Sequence, residues 1–386
     1  MRQLLQLHPF FPSIPILLPL VLVVGALVAS AFRNGADDFI PLFEGNDLGG
    51  WVEMGEPGAF SISEGVLSLE HPTNYPNWLR SPETYENFIL ELEYQPVAWA
   101  EGGIYFHAPL HGDPARSGYK IHLRHDRADQ GTRSTGALYD LLTPLRIANK
   151  AGDEWNALRI HMEWPELRVW MNDTLIHDVV LDTEPFRDRL RSGYIGFEDI
   201  GTPFRFRNAR IKELPGSDGE WISLFNGRDL DGWVAEGEAI WEVRDGCLIG
   251  SGGDGVLATN QSFTGFEFRT YFKTTAHANG GIFYRMQDRE GLSDHYEVQI
   301  YDVPTATHPT GSIYGIAPAI DAGCRSGQWC FMQVISNGAH SRVLINGRLV
   351  AEADDLELPD SGRIAIQNHS LGAIEYKGLR VQPLSN

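Results

Sequence analysis

The chain is poor in cysteine, in positive charge and, beyond its first residues, in long apolar runs. Three cysteines (Cys247, Cys324 and Cys330) among 386 residues do not make a disulfide framework, and no CxxC pair offers a zinc site. Cys324 and Cys330 are near enough in sequence to close a short loop in an oxidising compartment. Cys247, in the apolar run GCLIG, reads as a small core residue. Lys and Arg number 31 against 51 Asp and Glu, a formal net charge of −20. That deficit argues against nucleic acid, whose binding rests on Lys and Arg neutralising phosphate. No long window carries a 3.6-residue apolar period, which argues against a helical architecture. GGDG at 252–255 lacks the helix and Lys that would make it a phosphate loop. No Ser-His-Asp or Cys-His nucleophile pattern stands out along the sequence.

One apolar run is present. After Arg2, residues 14–28 read IPILLPLVLVVGALV and are followed by Ala29-Ser30-Ala31. A charged start, an apolar stretch and a small-x-small site predict a secretory signal peptide over 1–31 and an exported chain, periplasmic or extracellular. The alternative is an uncleaved anchor, which alone would make a membrane a partner. Pro9, Pro12, Pro15 and Pro19 weaken a long spanning helix. The remainder, in a chain 42% hydrophobic and 21% charged, is globular and long enough for about two domains.

Those domains are announced by a repeat. FIPLFEGNDLGGW (39–51) matches WISLFNGRDLDGW (221–233), and EGGIYFHA (101–108) matches NGGIFYRM (279–286). GYKIHLRHD, beginning at Gly118, matches HYEVQIYD (295–302), and STGALYD (134–140) matches PTGSIYG (309–315). Further on, GYIGFED (193–199) matches GRIAIQN (362–368). The copies span 38–214 and 220–386, joined by the Pro-, Gly- and acid-rich stretch LPGSDGE (214–220). Within each, short alternating segments rich in β-branched and aromatic residues are punctuated by turn signals such as Asn226-Gly227, Asp245-Gly246 and Asn346-Gly347. The pattern predicts an all-β protein of two tandem jelly-roll β-sandwiches. Trp51 and Trp233, closing the LFxGxDLxGW motif, read as strand-end packing.

Alternation assigns a surface. In the second copy Val298 and Ile300 point inward, so Glu297, Gln299 and Tyr301 point outward. By the same count Phe283 and Arg285 face outward, as does Gln367, with His369 just past the strand end. A carboxylate, a guanidinium, two amides and an imidazole on one face, with Phe283, Tyr301 and Tyr314 as ring platforms, suit a sugar. The bland alternative is a surface Glu297–Arg285 ion pair among solvated amides. In the first copy the corresponding occupants are His107, Lys120, His122 and Glu198, with Arg124 on the same outward face and His125 opposite Asp302. His107, His111, His122 and His125 raise the question of a divalent metal, most directly at His107, His122 and His125. Their spacing matches no strong motif, so no cofactor is predicted.

LFNGRDLDGW, WEVRDGCL, NGGIFYR, HYEVQIYD and PTGSIYG, in that order, resemble the 3-keto-disaccharide hydrolase family, also described as the 3-keto-glucoside 1,2-lyase and 3-keto-2-hydroxy-glucal hydratase domain. The resemblance covers 220–386 well and 38–214 more loosely. It implies a concanavalin-like jelly roll and a glycoside or oxidised-sugar substrate. It also implies C2 deprotonation beside a C3 ketone, β-elimination at C1 and rehydration. In such a scheme Glu297 or His369 would be the base. Arg285, Gln299, Tyr314 and Asp302 would assist, and Phe283, Tyr301 and Gln367 would bind substrate. In the first copy His107, Lys120, His122, Arg124 and Glu198 would contact a sugar, but Lys120, His122 and Glu198 depart from the pattern.

Two rivals remain at this stage. Glu297-Val298-Gln299-Ile300-Tyr301-Asp302 loosely resembles the paired-acid strand of retaining β-glucanases, although direct hydrolysis needs two carboxylates ~5 Å apart. Alternatively, one or both copies bind carbohydrate without chemistry.

Overall fold

The computed structural model describes residues 38–69, 77–150, 152–216, 219, 221–287, 294–301, 303, 305–320 and 322–384. The expected signal peptide and Asp302 lie outside the described residues. Phe39–Asn386 forms one compact unit. Among the described residues no helix is long and apolar enough to cross a membrane.

The first repeat opens with β1 (Ile40–Pro41), β2 (Val52–Met54), β3 (Phe60–Ser63), β4 (Val66–Leu69), β5 (Asn77–Tyr85) and β6 (Phe88–Pro96). It continues through β7 (Glu101–Ala108), the one-turn helix α1 (Pro114–Ser117), β8 (Tyr119–Arg124), β9 (Asn156–Glu163) and β10 (Glu166–Met171). β11 (Thr174–Val180), β12 (Gly193–Asp199) and β13 (Phe204–Glu213) complete it. These strands make two antiparallel sheets, ordered β11-β10-β9-β6-β13-β4-β3 with β1 on β13, and β2-β5-β12-β7-β8. Leu79, Ile104, Phe106, Ile121, Ile195 and Phe197 of the five-stranded sheet are buried in one core with Leu67, Leu90, Tyr94 and Ile160 of the other.

The second repeat runs β14 (Ile222–Ser223), β15 (Trp233–Gly237), β16 (Ile240–Arg244), β17 (Cys247–Thr264), β18 (Phe266–Thr274) and β19 (Asn279–Met286). Then come β20 (Tyr296–Tyr301), β21 (Cys330–Asn337), β22 (His340–Ile345), β23 (Arg348–Ala353) and β24 (Ser361–Pro383). β17 and β24 are long enough to serve both layers. The early part of β24 pairs with β19 and with β17 near Val256, and its late part pairs with β18 and with β17 near Leu248. Dividing each at the register shift between Ser251 and Gly253 yields β23-β22-β21-β18-β24-β17-β16 and β15-β17-β24-β19-β20. These are the strand orders of the first repeat. The fold is two tandem jelly-roll β-sandwiches.

Local chemistry explains the shared frame. The hairpins β16–β17 and β22–β23 turn on Asp245-Gly246 and Asn346-Gly347, all four residues at positive φ, as a type I′ turn requires. In each copy the motif tryptophan is buried and its indole N–H donates to a carbonyl nine residues upstream, Trp51 to Leu42 at 3.1 Å and Trp233 to Leu224 at 2.6 Å. Cys324 and Cys330 are disulfide-bonded. Cys247, expected in the core, is half-buried at the start of β17, because it occupies the residue just after the Asp245-Gly246 turn.

The copies also touch. His111 stacks on Trp329 with centroids 5.6 Å apart, the Leu110 N–H donates to the Tyr271 hydroxyl at 2.9 Å, and Asp188 pairs with Arg342 at 2.8 Å. Asn346-Gly347 packs on α1, where a Cβ at Gly347 would lie 2.5 Å from the Ser117 nitrogen.

Candidate active site

The five-stranded layer of the second sandwich sends Ile282, Val298, Ile300, Ile364 and Ile366 into the core. Its other face is built in rungs. Val256, Gln367, Gly281 and Gln299 form one, and Ala258, Ala365, Phe283 and Glu297 form the next. The rung on the far side carries Asp254 with His369, and Asn279 with Tyr301.

Glu297 is half-buried, and its side chain lies across Gly281, where a Cβ would be 2.5 Å from Oε1. Among the described residues the carboxylate has no ion pair or hydrogen bond, and burial alone pushes its pKa up to about 7. Beside it, buried Gln299 donates from Nε2 to Asn279 Oδ1 at 2.6 Å and to the Gly280 carbonyl at 3.3 Å, which fixes its amide. Gln367 is half-buried on β24, with Gly281 of β19 between it and Gln299. Tyr314 is tied to β20 by its backbone N–H, which donates to the Glu297 carbonyl at 2.8 Å, while its ring is exposed and lies 4.8 Å from that of His308.

Several expectations need correction. Arg285 does not share this face. It sits at φ 53°, in a register shift between Phe283 and Met286, which reverses the inward–outward count. Its guanidinium is buried. It donates to Ser336 Oγ at 2.8 Å and the Gly338 carbonyl at 2.5 Å, and it pairs with Asp360 at 2.9 Å. Phe283 is on the face but is no open platform, being buried in a small cluster with Ala258, Met286 and Ala365 and stacked on His295 at 3.8 Å. His369 is exposed and bonded to Asp254 at 3.2 Å, one rung beyond Gln367 and two beyond Glu297. Tyr301 is half-buried on the His369 side.

The first sandwich carries a different arrangement on the same frame. His107 occupies the position of Arg285, again at positive φ (51°) and fully buried, with its ring nitrogens 3.0 Å from the Leu190 carbonyl and 2.7 Å from the Glu86 carbonyl. Burial brings its pKa down to about 4, against the two carbonyls that favour the protonated ring, and with both nitrogens so engaged the side chain does not reach the outer face. Gly103 corresponds to Gly281, but the ion pair of Lys120 with Glu198, at 2.7 Å, closes over it. Tyr105 donates its hydroxyl to Glu198, and the Lys120 ammonium lies 4.0 Å over Tyr139. His122 is fully buried 3.2 Å from Glu101, and burial, reinforced by Lys120 and Arg124, lowers its pKa to about 3. Arg124 pairs with Asp126 at 3.0 Å and Glu101 at 3.1 Å. His125 packs on Trp99. The histidines therefore do not gather: no group of three metal-ligating side chains exists among the described residues.

Sequence reasoning missed Gly281 and Gly103, which make room for the opposing side chains, and Asn279, which anchors Gln299. The Gly-Gly pair in both EGGIYFHA and NGGIFYRM was the available signal. Trp78 and Tyr105, buried on the outer face of the first copy and in edge-to-face contact at 5.6 Å, were also missed.

The second of the two jelly-roll sandwiches carries a half-buried carboxylate, unpaired among the described residues, beside two carboxamides on one sheet face, and the family of the chain makes it a carbohydrate-active protein. The 3-keto-alpha-glucoside-1,2-lyase-like domain model matches residues 38–212 and again 220–382, and the chain belongs to that family. It is similar to a 3-keto-disaccharide hydrolase of Bacteroides thetaiotaomicron, with 27% identity over 230 residues, covering 46% of this chain and 79% of that one. Among solved structures it is similar to a candidate glycosyl hydrolase of Parabacteroides distasonis, with 20% identity, a TM-score of 0.41, and coverage of 46% of this chain and all of that one. It is also similar to a Bacillus subtilis protein with a galectin-like fold, with 15% identity, a TM-score of 0.37, and coverage of 44% and 97%.

Proposed function

We propose that the second sandwich cleaves 3-keto-glycosides by elimination and rehydration, with Glu297 as the base. The observation that carries this reading is the Glu297 carboxylate, half-buried, without a cation among the described residues, and raised to about 7. A base of that pKa takes a proton at neutral pH with useful driving force. The ketone at C3 acidifies the C2 hydrogen. Glu297 removes it, the electron pair forms the enolate, and the C1–O bond breaks as the departing oxygen takes up a proton. Water then adds across C1 and C2 and returns a 3-keto sugar. Gln367 and the exposed Tyr314 supply donors for the enolate oxygen, and Gln299 holds the strand's polar edge through Asn279.

In the first sandwich the ammonium of Lys120 neutralises the carboxylate of Glu198, which favours sugar binding without proton abstraction there. We further propose that the chain is exported after cleavage near residue 31; the mass of the mature N-terminus tests this.

The decisive experiment incubates the full chain with a 3-keto-disaccharide in deuterated water and follows C2 deuterium and sugar release together. Wild type incorporates deuterium and releases the sugar. Glu297→Gln loses both by ~10²–10⁴-fold, the usual weight of a general base. Release without C2 exchange, or cleavage of the unoxidised disaccharide at the same rate, would overturn the mechanism in favour of direct hydrolysis.

A further inference from the structure

In a chain of net charge −20, positive charge collects where the two sandwiches meet. A cavity of about 230 Å³ lies there, lined by Thr84, Ser192 and Tyr194 of the first copy and Tyr271, Lys377 and Arg380 of the second. Arg80 and Lys273 stand close by, and their fields, with that of Lys377, add to burial in holding His111 down to about 4. The nearby carboxylates are already taken: Glu375 pairs with Lys273 at 2.9 Å and Glu267 with Arg269 at 2.5 Å. Neither Lys377 nor Arg380 makes a direct ion pair among the described residues, although Glu375 and Glu267 act on them from a distance. Each is held against an indole instead, Lys377 at 4.0 Å from the Trp329 ring and Arg380 at 4.8 Å from the Trp221 ring. A ring face positions a cation without neutralising it. Burial lowers the pKa of both groups, so an anion entering the cavity would relieve a cost the folded chain already carries.

The other walls suit a sugar ring. The Tyr271 hydroxyl accepts from the Leu110 N–H, which leaves its own hydrogen free to donate, and Ser192 and Thr84 add hydroxyls. Tyr194 is half-buried with the Arg80 guanidinium 4.2 Å from its ring, and Tyr271, packed on Phe331 and His111, presents its hydroxyl edge. The volume is below the ~300 Å³ at which pockets for drug-sized ligands begin, so the occupant is a single sugar ring or smaller.

We propose that this junction cavity binds a small sugar acid, with its carboxylate between Lys377 and Arg380 and its hydroxyls toward Thr84, Ser192 and the Tyr271 hydroxyl. The site is separate from the Glu297 face and exists only because the fold is duplicated, since the first copy supplies most of its lining and the second supplies its cations.

Calorimetric titration of the full chain at low salt tests the proposal with D-glucuronate, D-glucose and inorganic phosphate as probes. Glucuronate is expected to bind at least ~10-fold more tightly than glucose, which lacks the charge-assisted contacts. Lys377→Gln and Arg380→Gln should each weaken glucuronate by ~10-fold or more, while Arg380→Lys keeps part of the affinity and turnover at the Glu297 face is unchanged. No binding of glucuronate, equal binding of glucose, phosphate binding as tight as glucuronate, or unaltered affinity in both Gln variants would each overturn it.

Discussion

Glu297 lies over Gly281 of the neighbouring strand, so closely that a single methyl group on Gly281 would come within 2.5 Å of its Oε1. Only a residue without a side chain lets the carboxylate fold down onto the sheet and lose part of its hydration. The first copy keeps the glycine, Gly103, and fills the same space with Lys120.

Gly281→Ala should therefore push Glu297 outward into water. The carboxyl would return toward ordinary acidity, and turnover of a 3-keto-glycoside should fall by ~10-fold or more, in line with a weakened base. A pH–rate profile whose acid limb moves down from near 7, together with unchanged far-ultraviolet dichroism, would confirm that the base moved and the fold did not.

Glu297 also sets a pH dependence of stability. Its folded pKa, about 7, lies above its ordinary value of 4.5, so the folded chain holds the proton more tightly. Its contribution is neutral below 4.5 and turns unfavourable between 4.5 and 7, reaching about 3 kcal/mol above that window. Glu297→Gln should be more stable than wild type at pH 8, where it loses activity, and indistinguishable from it in stability at pH 4, where the wild-type base is already protonated. Denaturant titrations at the two pH values measure this directly.

Arg285 behaves as a structural cation. Arg285→Ala leaves Asp360 without its cation and takes one of two donors from the Ser336 hydroxyl, and the buried position predicts a loss of ~3–5 kcal/mol in unfolding free energy. A variant that kept its stability and lost only turnover would put Arg285 back among the substrate contacts.

Lys120→Met distinguishes the two copies. It leaves Glu198 buried beside Tyr105 without its cation, so the chain should be destabilised by a similar ~3–5 kcal/mol. Under conditions where the variant is folded, turnover should match wild type. Loss of turnover in the folded variant would place chemistry in the first copy.

Much of this was legible in the sequence. Strand alternation correctly put Glu297, Gln299 and Gln367 on one face because β20 and the early part of β24 are regular there, and a period of two needs no tertiary information. The repeat predicted two equal sandwiches because LFxGxDLxGW places an indole to bond its own upstream carbonyl in both copies. The count failed at Arg285 and His107. Both adopt left-handed backbone, which Gly or Asn would have advertised but Arg and His do not.

The cause of that failure lies on another strand. Gly362 backs onto the Arg285 backbone and Gly193 onto that of His107, each too close for any side chain. Composition, periodicity and repetition thus determined an all-β, duplicated, acidic protein and the polar set of one sheet face, because those properties are local or additive along the chain. Tertiary structure alone decided which charges are spent internally and which remain available. Lys120 finds Glu198 across 78 residues, whereas Glu297 finds no cation among the described residues and keeps its proton affinity. That difference in desolvation and pairing, on two copies of one frame, separates the proposed catalytic sandwich from its partner.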